Sequence, residues 1–190
     1  MKNVSPKRPR HRVAVFVIVA LVALLLDRLT KVWAQAALGD GKTVIVIPKL
    51  LGLTLVHNPG ASLGMGSSVT WLISCLAFVA CVALIYLAFT TASLWWTGAL
   101  TLAFAGAFGN LIDRVIFAHG FLNGSVVDFL NYGWSVGNVA DIELGIAAVL
   151  VIILLLASVP FSAKDAKDSK DIQDTKEPVG SVENRGADGR

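Results

Sequence analysis

Residues 94–114 read LWWTGALTLAFAGAFGNLIDR, an apolar run that closes on Asn110, Asp113 and Arg114. About 20 residues at 1.5 Å rise each cross the ~30 Å hydrocarbon core of a bilayer. Lipid offers no partner to backbone N–H and C=O groups, so a spanning segment is either a helix or a strand of a closed barrel. The run lacks the period-two alternation of a barrel strand, which selects a helix. Its polar end then lies near one membrane boundary.

Outward from this stretch, runs of the same kind occupy residues 13–33, 69–89 and 139–161, and this one is read as spanning 94–112. With 55% hydrophobic residues, 15% charged and a mean hydropathy of +0.71, the chain is not an ordinary soluble domain. The expected fold class is an all-α polytopic membrane protein with four transmembrane helices forming one domain over 13–161. Residues 1–12 carry Lys2, Lys7, Arg8, Arg10 and Arg12, whereas only Lys42 and Lys49 lie between the first two spans. That basic excess places the N-terminus in the cytoplasm, and four crossings return the C-terminus there. The basic tail can also rest on anionic membrane lipids, and no nucleic-acid partner is needed to explain it. Residues 162–190 hold six basic and seven acidic residues with almost no large apolar ones, the composition of a disordered cytoplasmic tail.

The first span also reads as a cleavable secretory signal, with a basic start and Ala34-Gln35-Ala36 as a small-x-small site. Against this, the charged block Asp27-Arg28-Leu29-Thr30-Lys31 stands between the apolar stretch and that site, where such signals are uncharged. The retained helix is the favoured reading.

Between residues 13 and 161 there are only six acidic residues: Asp27, Asp40, Asp113, Asp128, Asp141 and Glu143. An Asp at a helix centre costs roughly 2.5–3.5 kcal/mol on insertion scales, so such groups face a protein interior and carry function. The topology gives each a height. The first helix runs outward to Asp27 and Lys31; the third ends on Asn110, Asp113 and Arg114; the fourth starts outside at Asn138 and Asp141. Spacings of three and four put Asp27/Lys31, Asn110/Arg114, Asn110/Asp113 and Asn138/Asp141 each on one helix face. Three helices therefore bring polar groups to one level just inside the outer face, which implies a polar pocket there. Arg114 is expected to pair with Asp113 or Asp27.

Residues 38–68 are punctuated by Gly39, Gly41, Pro48, Gly52, Pro59, Gly60, Gly64 and Gly66, and two strand-rich stretches lie among them. A small extracytoplasmic β-sheet follows, either a cradle for an extended peptide or a lid on the helices. A second outer segment, residues 115–137, is expected to be a periplasm-side loop that dips toward the membrane at Asp128, with Tyr132 and Trp134 at the interface.

Other chemistries find little support. The three His residues, His11, His57 and His119, form no metal-ligand spacing with Cys or acids, so neither metal nor cofactor is expected. Cys75 and Cys81 lie within the second span and read as small apolar residues. Ser62, Ser67 and Ser68 lack a base, and Gly106-Ala107-Phe108-Gly109 reads as a helix-packing surface. A small proton- or cation-coupled transporter would also use buried acids, but it asks for polar groups through the whole membrane depth. A scaffold with packing-only polar blocks is the third reading.

Five blocks in order carry a resemblance: Asp27-Arg28-Leu29-Thr30-Lys31, Asn58-Pro59-Gly60-Ala61-Ser62, Gly109-Asn110-Leu111-Ile112-Asp113-Arg114, Val126-Val127-Asp128-Phe129 and Asn138-Val139-Ala140-Asp141. The chain resembles the lipoprotein signal peptidases (signal peptidase II), with tails similar to actinobacterial members. The resemblance implies an aspartic endopeptidase of the bacterial cell membrane, working as a monomer near the outer leaflet. Its substrates would be diacylglyceryl-modified prolipoproteins, cut on the N-terminal side of the lipidated Cys. The catalytic pair would be Asp128 and Asp141, with Asp113 as the other candidate member. Asp27, Lys31, Asn58, Gly60, Asn110, Asp113, Arg114, Asn138 and Ala140 would support them. Gly137, Leu63 and Arg28 stand where the family commonly has Phe, Phe and Gln, and Glu143 is unusual; these departures bear on substrate fit. Two neighbouring carboxylates in a low-dielectric site share a proton, so one serves as base and one as acid. Which starts protonated is a property of the pair.

Overall fold

The computed structural model describes residues 9–39, 41–60 and 65–167. Asp40, Ala61, Ser62, Leu63, Gly64, the basic residues before Pro9 and the tail after Lys167 lie outside these described residues. The elements run α1 (Pro9–Ala37), β1 (Val44–Ile47), β2 (Leu51–Asn58), a short 3-10 turn (Ser67–Val69), α2 (Thr70–Thr90), α3 (Leu94–Ile116), β3 (Val126–Asn131), β4 (Val136–Gly137) and α4 (Val139–Leu156). All four long helices are apolar and long enough to cross a membrane.

α3 is the central helix and packs against α1, α2 and α4. Half of its spanning window is buried, against less than a quarter in each of the others, so α3 offers the most shelter to polar residues. Glycines bring the helices close. A Cβ on Gly106 would lie 2.6 Å from the Ala140 carbonyl oxygen, and one on Gly109 would lie 2.7 Å from the Asp27 carboxylate. Ala20 of α1, Cys81 of α2 and Phe104 of α3 meet in an apolar core with Phe16 and Phe108 beside them. Cys81 is buried there and Cys75 is half-buried, both as free thiols.

Two helix ends differ from the sequence reading. α3 continues through Asp113 and Arg114 to Ile116, so the polar block belongs to its last turns. α4 stops at Leu156, short of Phe161. Ser158 takes a left-handed conformation (φ 51°) and Val159 N–H returns to the Leu154 carbonyl, which closes the helix before Pro160. Phe161 then folds back: its carbonyl accepts from Ala92 N–H (2.8 Å) and the Thr91 hydroxyl (2.7 Å), and its ring meets Trp96 edge-on at 5.4 Å. Residues 163–167, at the start of the tail, are helical with Ser162 as cap.

The outer segments also differ. The expected loop contributes β3 and β4, and all four strands form one antiparallel sheet in the order β1-β2-β3-β4. Val56 lies opposite Asp128 and Asn58 opposite Val126, with a bulge between Leu53 and Val56. Strand pairing therefore brings Asn58 diagonally beside Asp128 on one face. Ala34 of α1, Leu38 just after it and Phe129 of β3 form a second apolar cluster beneath this sheet.

Candidate active site

Four acidic and basic side chains close a ring between α1 and α3. Arg28 contacts Asp27 at 2.9 Å and Asp113 at 2.7 Å. Lys31 contacts Asp27 at 2.9 Å and Asp113 at 2.8 Å. Asp27, Lys31 and Asp113 are fully buried. Two cations against two anions leave the ring neutral, which a low-dielectric setting requires of buried charge. Arg28 was read from sequence only as a departure from a common Gln; its neighbours on another helix, invisible locally, make it a ring member.

The ring reaches the site at two points. Asp113 Oδ2 accepts from Val127 N–H at 3.2 Å, anchoring β3 one residue before Asp128. Lys31 Nζ donates to Asn110 Oδ1 at 3.0 Å. With that oxygen engaged, the Asn110 amide nitrogen faces α4 and donates to Asp141 Oδ1 at 3.0 Å.

Asn138 joins the two acids. It is the N-cap of α4, accepting from Asp141 N–H at 3.1 Å, while Asp141 Oδ2 accepts from Asn138 N–H at 3.0 Å. This capping box explains the three-residue spacing: Asn138 precedes the helix with extended backbone and shares no helical face with Asp141. Its side-chain amide donates to Asp128 Oδ1 at 2.6 Å and to Asn110 Oδ1 at 3.1 Å. Asn58 donates to Asp128 Oδ2 at 2.9 Å while its own oxygen accepts from Gly60 N–H. Both oxygens of Asp128 thus receive an amide N–H.

The two acids sit in different surroundings. Asp128 is 3% exposed, whereas Asp141 is exposed to solvent. Burial pushes the Asp128 carboxyl up to about 6, and the Asp141 charge pushes the same way, against the Asn58 and Asn138 hydrogen bonds and the Lys31 charge. Tyr132, just after β3, has its hydroxyl raised by burial and by the charges of Asp141 and Asp128. It stacks on the exposed Trp134 at 6.1 Å. A Cβ on Gly137 would lie 2.9 Å from Asp141 Oδ2, so this glycine lets the strand end approach the carboxylate.

Arg114 takes a different partner from the one its sequence position suggests. Its guanidinium donates to the carbonyls of Gly60 (2.7 Å) and Gly124 (3.4 Å), with no salt bridge to Asp113 or Asp27. It clamps the turn after β2 to the loop after α3. Gly124 is required there, since a Cβ would lie 2.4 Å from the Arg114 carbonyl oxygen. Ala140 is fully buried against Gly109 and serves close packing. Glu143, one turn inside α4, is buried with one carboxyl oxygen lacking a hydrogen-bond partner, so it belongs to this end of the bundle.

Four apolar helices that gather a neutral ion ring and two amide-linked carboxylates at one end define a polytopic membrane protein with a buried polar cluster. The family model described as Signal peptidase (SPase) II matches residues 19–157, and the chain belongs to that family and is a peptidase. A protein named lipoprotein signal peptidase from Bifidobacterium adolescentis is 64% identical over 165 residues, 87% of this chain and 88% of its own. One of the same name from Rhodococcus jostii is 39% identical over 153 residues, 80% and 77% of the two chains. A solved bacterial membrane enzyme superposes with a TM-score of 0.64 at 30% identity, covering 87% of this chain and 94% of its own.

Proposed function

We propose that this chain is an intramembrane aspartic endopeptidase that removes signal peptides from diacylglyceryl-modified prolipoproteins, cutting on the N-terminal side of the lipidated Cys. The observation that carries the reading is Asn138, whose single side chain and backbone touch both Asp128 and Asp141. Asp141, open to solvent, takes a proton from water as the water attacks the scissile carbonyl. Asp128, buried and with a raised carboxyl, brings the proton that polarises that carbonyl and then passes to the leaving amine. One water is consumed, and the pair ends as it began with one proton, the one taken from water replacing the one given to the amine. Asn110, Asn58 and Asn138 hold the carboxylates, and the Asp27–Arg28–Lys31–Asp113 ring and the Arg114 clamp hold the elements that carry them.

Residues 44–47 of β1 are an exposed apolar sheet edge, suited to pairing with an extended substrate backbone beside the membrane. The first span is retained, since it supplies Asp27, Arg28 and Lys31. Basic residues before it place both termini in the cytoplasm and the centre at the outer leaflet. The transport reading asks for a polar path through the bundle. Instead, the hydroxyls deeper in α3 are taken up by backbone carbonyls, Thr97 by Ser93 and by Ala88 of α2, and Thr101 by Thr97.

The test is cleavage of a diacylglyceryl-modified prolipoprotein in lipid or detergent by the wild type, Asp128→Asn and Asp141→Asn at matched folded protein. Cleavage by the wild type alone is expected. Normal turnover by either variant would remove that Asp from the pair.

A further inference from the structure

At the end of the bundle opposite the acids, two adjoining cavities form one amphipathic site. The first, about 800 Å³, is an apolar slot between α1, α3 and α4, lined by Val15, Val19, Leu102, Leu150 and Ile153. Its floor is Gly98, where an added Cβ would meet nothing within 4 Å. The second, about 720 Å³, shares Leu94, Trp95 and Val159 with the slot and adds His11 and Arg12 at its rim. No acidic residue lines either cavity among the described residues. The acid on the neighbouring turn, Asp165, accepts from Ser162 N–H at 2.9 Å.

Arg12 is held with part of its donor set to spare. One terminal nitrogen donates to the carbonyls of Thr91 and Phe89 in the α2–α3 turn, while Nε is buried without a partner. The half-buried guanidinium has five N–H donors in a planar fork, more than the two carbonyls take, and phosphate oxygens match that geometry. The opposite wall is built, not frayed: Trp96 Nε1 donates to the Val159 carbonyl at 3.0 Å, and Phe161 is tied to Thr91 and Ala92. Trp95, 76% exposed, lies where slot and rim meet, a place that suits an indole at the headgroup boundary.

We propose that this site binds one anionic glycerophospholipid, an acyl chain in the Gly98 slot and the phosphate on Arg12 with His11 beside it. Two features decide for a lipid. The slot lies between the spanning helices α1, α3 and α4, and its apolar wall is shared with a cationic rim. Under the orientation proposed above, the site faces the cytoplasmic leaflet, whose surface is negatively charged. The binding itself does not depend on that orientation or on the peptidase reading.

The experiment is native mass spectrometry of the full chain in mild detergent, titrated with phosphatidylglycerol or phosphatidylcholine of identical chains. The wild type, Arg12→Gln and Gly98→Leu are compared. The wild type should retain one phosphatidylglycerol and prefer it by about five-fold, the ratio that the ~1 kcal/mol of one basic residue near anionic lipid converts to. Arg12→Gln should lose the preference. Gly98→Leu, which fills the slot on an open helix face without a clash, should lose both lipids. Should Arg12→Gln fail to fold, Gly98→Leu decides. Equal retention of the two lipids by the wild type, retention by Gly98→Leu, or displacement of the lipid by inorganic phosphate alone would each overturn the proposal.

Discussion

Replacing Asn138 separates two roles that one side chain combines. Asn138→Ala removes the acceptor for Asp141 N–H, a helix cap worth about 1 kcal/mol. It also strips the 2.6 Å amide bond from Asp128 Oδ1, and a buried polar group left short of a partner costs about 1–3 kcal/mol. The two together amount to a loss of about 2–4 kcal/mol of stability. Because that bond holds the Asp128 carboxyl down, its removal moves the carboxyl above its present value of about 6. With Asp128 and Asp141 released from each other, cleavage should fall by about 10²-fold or more, the scale on which misplaced catalytic groups lose rate. Asn138→Ser restores a cap oxygen without the amide donor. It should recover about 1 kcal/mol of stability and little of the activity. Thermal unfolding in detergent gives the first quantity, and lipoprotein cleavage at matched folded protein gives the second. Wild-type turnover by Asn138→Ser would refute the linking role, and an unchanged melting temperature in Asn138→Ala would refute the cap.

Burial raises the Asp128 carboxyl from 3.8 to about 6, so the folded chain binds more protons than the unfolded one in that interval, and stability falls as pH climbs through it. Asp128→Asn has no such proton to lose. It should gain on the wild type by about 2 kcal/mol between pH ~4 and pH ~7, whatever its offset at low pH, and a gap that fails to widen in pH-resolved unfolding would count against the buried setting. Lys31→Met leaves Asp27 and Asp113 to Arg28 alone and frees the Asn110 amide to turn. A destabilisation of about 3–5 kcal/mol with loss of cleavage is expected, and an unshifted melting temperature would argue that the ring is not a unit. Gly124→Ala presses a Cβ on the Arg114 backbone and should cost about 1–3 kcal/mol and weaken the clamp on Gly60. Gly145→Ala, where a Cβ meets nothing within 4 Å, serves as the matched control and should be neutral or stabilising by about 0.5–1 kcal/mol.

The four spans were legible because spanning a membrane is a local demand: each run of about 20 apolar residues meets it alone. The end of the bundle that holds the site was legible too, since the direction of each helix, counted from the first, sets the height of its polar block. Asp27, Lys31, Asn110, Asp113, Asn138 and Asp141 do meet there, and the Asp27/Lys31 pair forms at the spacing of four. The five ordered blocks named the family for the same reason, as each is a short contiguous stretch.

What the tertiary structure decided is which charge answers which. Three basic residues stood close to Asp113 in sequence or height, and the nearest in sequence, Arg114, turns away to the Gly60 and Gly124 carbonyls while Arg28 and Lys31 from α1 take the acid. One turn of helix separates these outcomes, and only the packing of α1 on α3 across Gly109 selects between them. Likewise, β3 and β4 looked like a loop because a strand buried in a sheet is stabilised by a partner far away in the chain. The partner here is β2, and through that pairing Asn58 reaches Asp128. Asn138 read as a face-mate of Asp141, yet it proved to be the residue that starts the helix and ties its two acids together. Local composition determines which segments enter the bilayer; hydrogen bonds between segments distant in sequence determine which polar side chains meet.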